Sequence, residues 1–176
     1  MTHSAADLRA TTEFLHAQIP ITQAMGVRVE SYDAAGGLLL TAPLEANHNH
    51  LGTAFGGSLS ALCTLAGYGL LWMMLEEGEE EEGKRGKGKE KSGGGDAVQA
   101  PDVHVVVRDS AIRYLRPVTG DIRVVCHRPA ETEVEAFFAR FRAAGKARLA
   151  LNCTVSEGGV TCVDFTGTFV AVAGTS

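Results

Sequence analysis

Asn47-His48-Asn49-His50-Leu51-Gly52-Thr53-Ala54-Phe55-Gly56-Gly57-Ser58 opens the stretch that decides the fold, and the chain then carries no charge from Leu51 to Leu75. An uncharged run of that length is either a membrane span or a helix buried inside a sheet. Gly52, Gly56, Gly57, Gly67 and Gly69 interrupt it, and Glu76 and Glu77 follow it where basic anchors would stand. Strand-like alternation resumes downstream, so the sequence reads as a soluble domain with a central apolar helix and no membrane partner.

Outward from that helix the elements are legible in both directions. Upstream, Ser4 with Asp7 opens a short amphipathic helix bearing Leu8, Phe14 and Leu15, and Pro20 stops it. Val27 and Val29 alternate with Arg28 and Glu30, Ala34 to Gly37 form a turn, and Leu38 to Leu44 return as a second strand. Downstream, residues 76–102 hold an acidic block, a basic block and a glycine run. From Glu76 to Lys91 there are seven acids and five bases, which nearly cancel, and nothing apolar to order the segment. It reads as a flexible insertion.

Strand-like runs follow at Val103 to Tyr114, Ile122 to His127, Ala147 to Ser156 and Val160 to Ala173. Thr132 and Glu135 supply a capping box for a short helix with Val134, Phe137, Phe138 and Phe141, closed by Gly145. The last two strands turn around Glu157, Gly158 and Gly159. A turn on 157–158 sets Cys153 opposite Cys162, and one on 158–159 sets it opposite Asp164; the pattern leaves the register open. Asn152 and Asp164 interrupt apolar strands, either on the outer sheet face or at a contact between subunits. One wholly apolar helix ahead of four antiparallel strands is an α+β chain in which a curved sheet wraps a central helix. The whole of 1–176 is then one domain.

Composition narrows the function. With 16 Lys and Arg against 21 Asp and Glu, the formal charge of −5 offers no broad attraction to nucleic acid. The four cysteines, Cys63, Cys126, Cys153 and Cys162, have no metal-ligand spacing and read as reduced thiols, with the cytoplasm as the expected compartment. The polar loop at 47–58 is the informative feature, because it runs straight into the apolar helix. At a helix N-terminus the first N–H groups are unpaired and lie at the positive end of the macrodipole, which suits a thioester oxygen that becomes an oxyanion. His48 and His50 add imidazoles suited to acid-base work.

These residues carry a resemblance. NHNHLGTAFGGSLSALCTLAGYG together with RDSAIRYLRPVTG resembles the hotdog superfamily of acyl-CoA thioesterases, where an Asn stands six residues before a His-Gly-Gly, as Asn49 stands before Phe55-Gly56-Gly57. It is most similar to the thioesterase-like YiiD C-terminal family, found in some bacteria behind a GNAT acetyltransferase. The similarity runs from about Ile19 to Val172, leaving out the insertion.

The resemblance implies a hotdog fold, a homodimer sharing its site, and a thioester of coenzyme A or phosphopantetheine as substrate, with no separate cofactor or metal. It implies that Asn49 orients water or the thioester and that the Gly57 N–H holds the oxyanion. In the phenylacetic-acid-type branch a His precedes the Gly-Gly and a carboxylate follows nine residues on; here those positions hold Phe55 and Thr64. Asp109, on the strand expected beside the helix, is the candidate to activate water with Thr64. Arg116, Lys146 and Arg148 stand where the superfamily often keeps groups for coenzyme A phosphates. The rival expectation is a non-catalytic acyl-CoA-binding or sensing module.

Overall fold

The computed structural model describes residues 4–33, 36–85 and 103–174 and, within 79–85, the backbone alone. Helix α1 (Ala5–Gln18) starts with the expected capping box: the Ser4 N–H donates to Asp7 at 2.9 Å, and Ser4 Oγ accepts from the Asp7 N–H. A single turn, α2 (Ile21–Ala24), leads into the hairpin β1 (Arg28–Asp33) and β2 (Gly37–Ala42). The second strand ends two residues earlier than expected, because Pro43 starts a 3₁₀ turn over Leu44–Ala46. Helix α3 (Gly56–Arg85) follows, then β3 (Val103–Tyr114), β4 (Ile122–His127), α4 (Glu131–Ala144), β5 (Lys146–Glu157) and β6 (Val160–Ala173). Every strand pair is antiparallel, and the sheet order is β1-β2-β4-β5-β6-β3.

The sheet curls around α3 as expected of a hotdog fold. Cys63, Ala66, Leu70, Leu71, Met73 and Met74 are buried within it, and Gly67 is bare because Phe169 of β6 occupies the space a methyl would fill. On the far side Phe14 of α1 stacks on Trp72 at 4.6 Å, and Thr12 of α1 accepts a hydrogen bond from the Val29 N–H, which ties the cover helix to β1. The segment Gly56–Gly78 is long and apolar enough to cross a membrane, with a mean hydropathy of 1.5, but 72% of its most apolar 18 residues lie inside the fold. It is a core helix.

Three expectations need correction. Helix α4 is capped two residues earlier than Thr132, at Ala130: the Glu133 carboxylate accepts from the Ala130 N–H at 3.1 Å, so Glu133, not Glu135, caps it. The hairpin register is neither alternative. Gly158 and Gly159 form the turn, but Cys162 is an extra residue between Thr161, opposite Ser156, and Val163, opposite Val155. That bulge puts Cys153 opposite Phe165, and the carbonyl of Cys162 accepts from the N–H groups of Leu115 and Arg116 instead.

The third correction concerns the insertion. Residues 76–85 continue α3, and Glu77 is fixed by the core: Tyr32 donates to its carboxylate at 2.8 Å, and Arg128 lies 3.7 Å away. Burial and the Glu77 carboxylate push the Tyr32 hydroxyl pKa well up, which keeps it a neutral donor. The rest of the expected insertion, 86–102, lies outside the described residues. The four thiols are free and buried.

Candidate active site

The loop ahead of α3 is held by its own side chains. Asn47, 2% exposed, donates to the carbonyls of Met25 and Pro43. Asn49 Oδ1 accepts from the N–H groups of Leu51 and Thr53, and its amide nitrogen donates to Thr53 Oγ1 at 3.0 Å. Asn49 therefore shapes the loop with both ends of its amide. His48 Nδ1 lies 2.8 Å from the Asn49 carbonyl. A carbonyl can only accept, so Nδ1 is the donor here, and in the neutral ring the lone pair is on Nε2. His50 is exposed.

At the end of the loop the Ala54 N–H donates to the Val118 carbonyl and the Phe55 N–H to that of Asn47, which brings the chain to the first turn of α3. Glu157 fixes the segment around Val118 by accepting from the N–H groups of Thr119 and Gly120. Its hydrogen bonds with Thr119, hydroxyl foremost, lower its carboxyl pKa below the usual range. The Leu59 N–H closes the first helical bond, to the Phe55 carbonyl. Among the described residues nothing takes up the N–H groups of Gly56, Gly57 or Ser58.

Two aromatic rings flank this turn. The Phe55 ring lies where a Gly57 side chain would stand, and Tyr114, at the end of β3, lies against Gly56 at 3.4 Å from where its Cβ would be. Tyr114 also donates to the Gly56 carbonyl at 2.8 Å. The Gly-Gly pair thus leaves room for two rings while three donors stay free.

Cross-strand partners share a face, so the register of β3 decides which of its residues meet the helix. Val107 pairs with the buried Phe169 on the inner face. The pairing then slips at Arg108, and Asp109 pairs with Thr168 on the outer face. This bulge corrects the expected Asp109–Thr64 pair. Asp109 is 62% exposed and forms an ion pair with Arg108 at 3.4 Å, while the Thr64 hydroxyl donates to the Ser60 carbonyl on α3.

The inner face at that level belongs to Ser110, opposite Gly167. Helix α3 runs antiparallel to β3, with Gly56 beside Tyr114 and Gly67 beneath Phe169. Thr64 stands about 12 Å along the helix from Gly56, and about 13 Å back along β3 from Tyr114 reaches Ser110.

The three basic candidates are not brought together in one chain. Arg116 is exposed just past Tyr114, near the start of α3. Lys146 and Arg148 sit on the outer face at the far end of β5, with Lys146 opposite Val172, roughly 30 Å of strand away from Val155. Asn152 and Asp164 also face outward, where Thr166 donates to Asn152 and Arg113 lies 3.9 Å from Asp164.

Comparison with known proteins agrees with the fold. The model of a family described as putative thioesterase (YiiD C-terminal) matches residues 8–83 and 98–173. A solved structure of a putative thioesterase from Shewanella oneidensis is 25% identical with a TM-score of 0.74, over 94% of this chain and 96% of that one. A protein of unknown function from Chlorobaculum tepidum is 31% identical with a TM-score of 0.71, over 95% and 94%. The PaaI protein of the E. coli phenylacetic acid degradation operon shares the fold at 13% identity and a TM-score of 0.54, over 96% and 97%.

Proposed function

The chain belongs to the YiiD C-terminal putative thioesterase family, and from that premise we propose that it hydrolyses an acyl thioester carried on coenzyme A or on the phosphopantetheine of an acyl carrier protein. The observation that carries the reading is the set of unpaired N–H groups of Gly56, Gly57 and Ser58 at the start of α3. Water attacks the thioester carbon, the carbonyl oxygen becomes an oxyanion held by the Gly57 N–H and its neighbours, and the C–S bond breaks to release a thiol and a carboxylic acid. One such donor is worth about 2.7–4 kcal/mol in the transition state.

The remaining roles follow from placement. Asn49 acts by holding the loop in shape. His48 keeps a free Nε2 lone pair on that same loop, between Asn47 and Asn49, and is the base we assign to water. Thr64 on α3 and Ser110 on the inner face of β3 stand at the same level beyond the turn, and Asp109 is left to the outer face. Arg116 is the basic group we assign to the coenzyme's phosphates, with Lys146 and Arg148 too remote in their own chain to join it.

The working unit in this reading is a cytoplasmic homodimer. Among the described residues strand β3 has a neighbour only at β6, and it exposes Val107 and Tyr114 on the face that carries a half-open stripe of α3 made by Gly57, Ala61, Thr64 and Tyr68. A second copy covers such an edge.

The outward turn of Asp109 also favours a second reading, a module that binds acyl-CoA without cleaving it. The test is incubation of the purified protein with acyl-CoAs of graded length while free thiol is detected. Thiol release with turnover is expected. No release, together with a ligand-dependent rise in melting temperature, would leave only the binding module.

A further inference from the structure

We propose that Tyr114 is a positioning residue that holds the oxyanion-binding turn of α3 in register with the sheet. The inference rests on the thioesterase reading and deepens it. A first turn built on Gly-Gly is the weakest start a helix can have, because glycine gives up the most backbone freedom on ordering. Its N-cap, Phe55, has no side-chain oxygen with which to tie the turn. Yet N–H donors stabilise an oxyanion only if they are already aimed when it forms, and a helix end that frays aims them poorly.

Tyr114 supplies the missing anchor from outside the helix. It is the last residue of β3, and its N-terminal neighbours pair with β6 without interruption from Asp109 to Tyr114 itself. Its ring lies against the bare backbone of Gly56, and its hydroxyl reaches the Gly56 carbonyl at 2.8 Å. The next two residues are tied down as well, with the N–H groups of Leu115 and Arg116 both donating to the Cys162 carbonyl. The peptide between Gly56 and Gly57 is thereby gripped at its oxygen, while its N–H, on Gly57, points free. Rotation of that peptide would misdirect the donor, and the phenol hydrogen bond opposes that rotation.

The test is Tyr114→Phe, which keeps the ring against Gly56 and removes only the hydroxyl. Wild type is measured first, on whichever acyl-CoA it cleaves fastest. The variant should lose about tenfold in kcat, in the range expected for one hydrogen bond that orients a transition-state donor, with KM changed by less than about twofold. Its melting temperature should be nearly that of wild type.

An unchanged kcat overturns the proposal. So does a rise in KM at constant kcat, which would make Tyr114 a substrate-binding group, or a loss of rate that tracks a loss of folded protein, which would make it structural. If wild type releases no thiol at all, the thioesterase reading itself has failed, and the role of Tyr114 falls with it. Measuring wild type first keeps the two failures distinct.

Discussion

Two stretches of α3 are held in opposite ways. Around Glu77, about two turns before Arg85, the helix is locked: Tyr32 of β1 and Arg128, just past β4, converge on Glu77, and Gly78 packs against Phe138 of α4. At its N-terminal end two glycines begin the helix, no side chain caps it, and three N–H groups have no partner among the described residues. The first N–H groups of a helix have no partner within it. In α3 the turn that carries Gly57 is exposed and its donors stay open, while Glu77 anchors the helix farther along. The open N-terminus is disposed to meet an anion or a developing oxyanion, and the anchor at Glu77 holds the helix still while it does so.

The largest expected effect comes from closing the open end. Gly57→Pro removes one N–H from a turn that makes no internal bond with it, so the fold should survive. Turnover should fall by about 10²–10³, the cost of one oxyanion donor. Gly57→Ala keeps the N–H and only pushes on the exposed Phe55 ring, so it should retain far more activity. Parallel turnover measurements on the two variants, with melting curves to confirm folding, distinguish a lost donor from a crowded turn.

Around Glu77 the loss should appear in stability instead. Arg128→Leu removes the cation beside the Glu77 carboxylate, whose side chain is 27% exposed. Removing one partner of a buried pair is costly, and partial exposure reduces the cost to about 2–3 kcal/mol. That corresponds to a fall in melting temperature of roughly 4–12 °C for a domain of this size. Turnover per folded molecule should be unchanged. If Arg128→Leu slowed turnover at full folding, the two stretches would not be independent.

The smallest effect is expected at Asp109. Its side chain pairs on the outer face with Arg108, and an exposed pair contributes about 0–1 kcal/mol. Asp109→Asn should leave both turnover and melting temperature close to wild type. If turnover instead dropped by about a hundredfold or more, the range for losing a general base, this carboxylate would return to the chemistry.

Much of the fold was readable because period and composition speak for burial. An uncharged run broken by glycines marked α3, and Ser4 with Asp7 marked the start of α1. Local departures from period two were harder. In β3, Val103, Val105 and Val107 share one face and Ile112 and Tyr114 the other parity, which is the mark of an intervening bulge. Without that bulge Asp109 would face the helix. The bulge at Cys162 hid the hairpin register in the same manner.

At the site, the loop and Gly57 were legible because a polar loop entering an apolar helix is a local pattern. Tyr114 was not, since its partner Gly56 is 58 residues away and only the register of β3 on β6 brings them together. The charged run at 76–85 misled for a related reason. Its composition suits solvent, but Glu77 finds Tyr32 and Arg128 across the core, and tertiary partners outweigh local composition.

In the thioesterase reading the unpaired N–H groups at the start of α3 receive the thioester oxygen. The most direct measurement is the amide chemical shift of Gly56, Gly57 and Ser58 on titration with an uncleavable acyl-CoA in which a methylene replaces the thioester sulfur and the carbonyl is kept. Saturable downfield shifts are expected at these three amides, with the amide of Glu77, farther along the helix, unmoved. Saturable binding that leaves all three unshifted would contradict that reading.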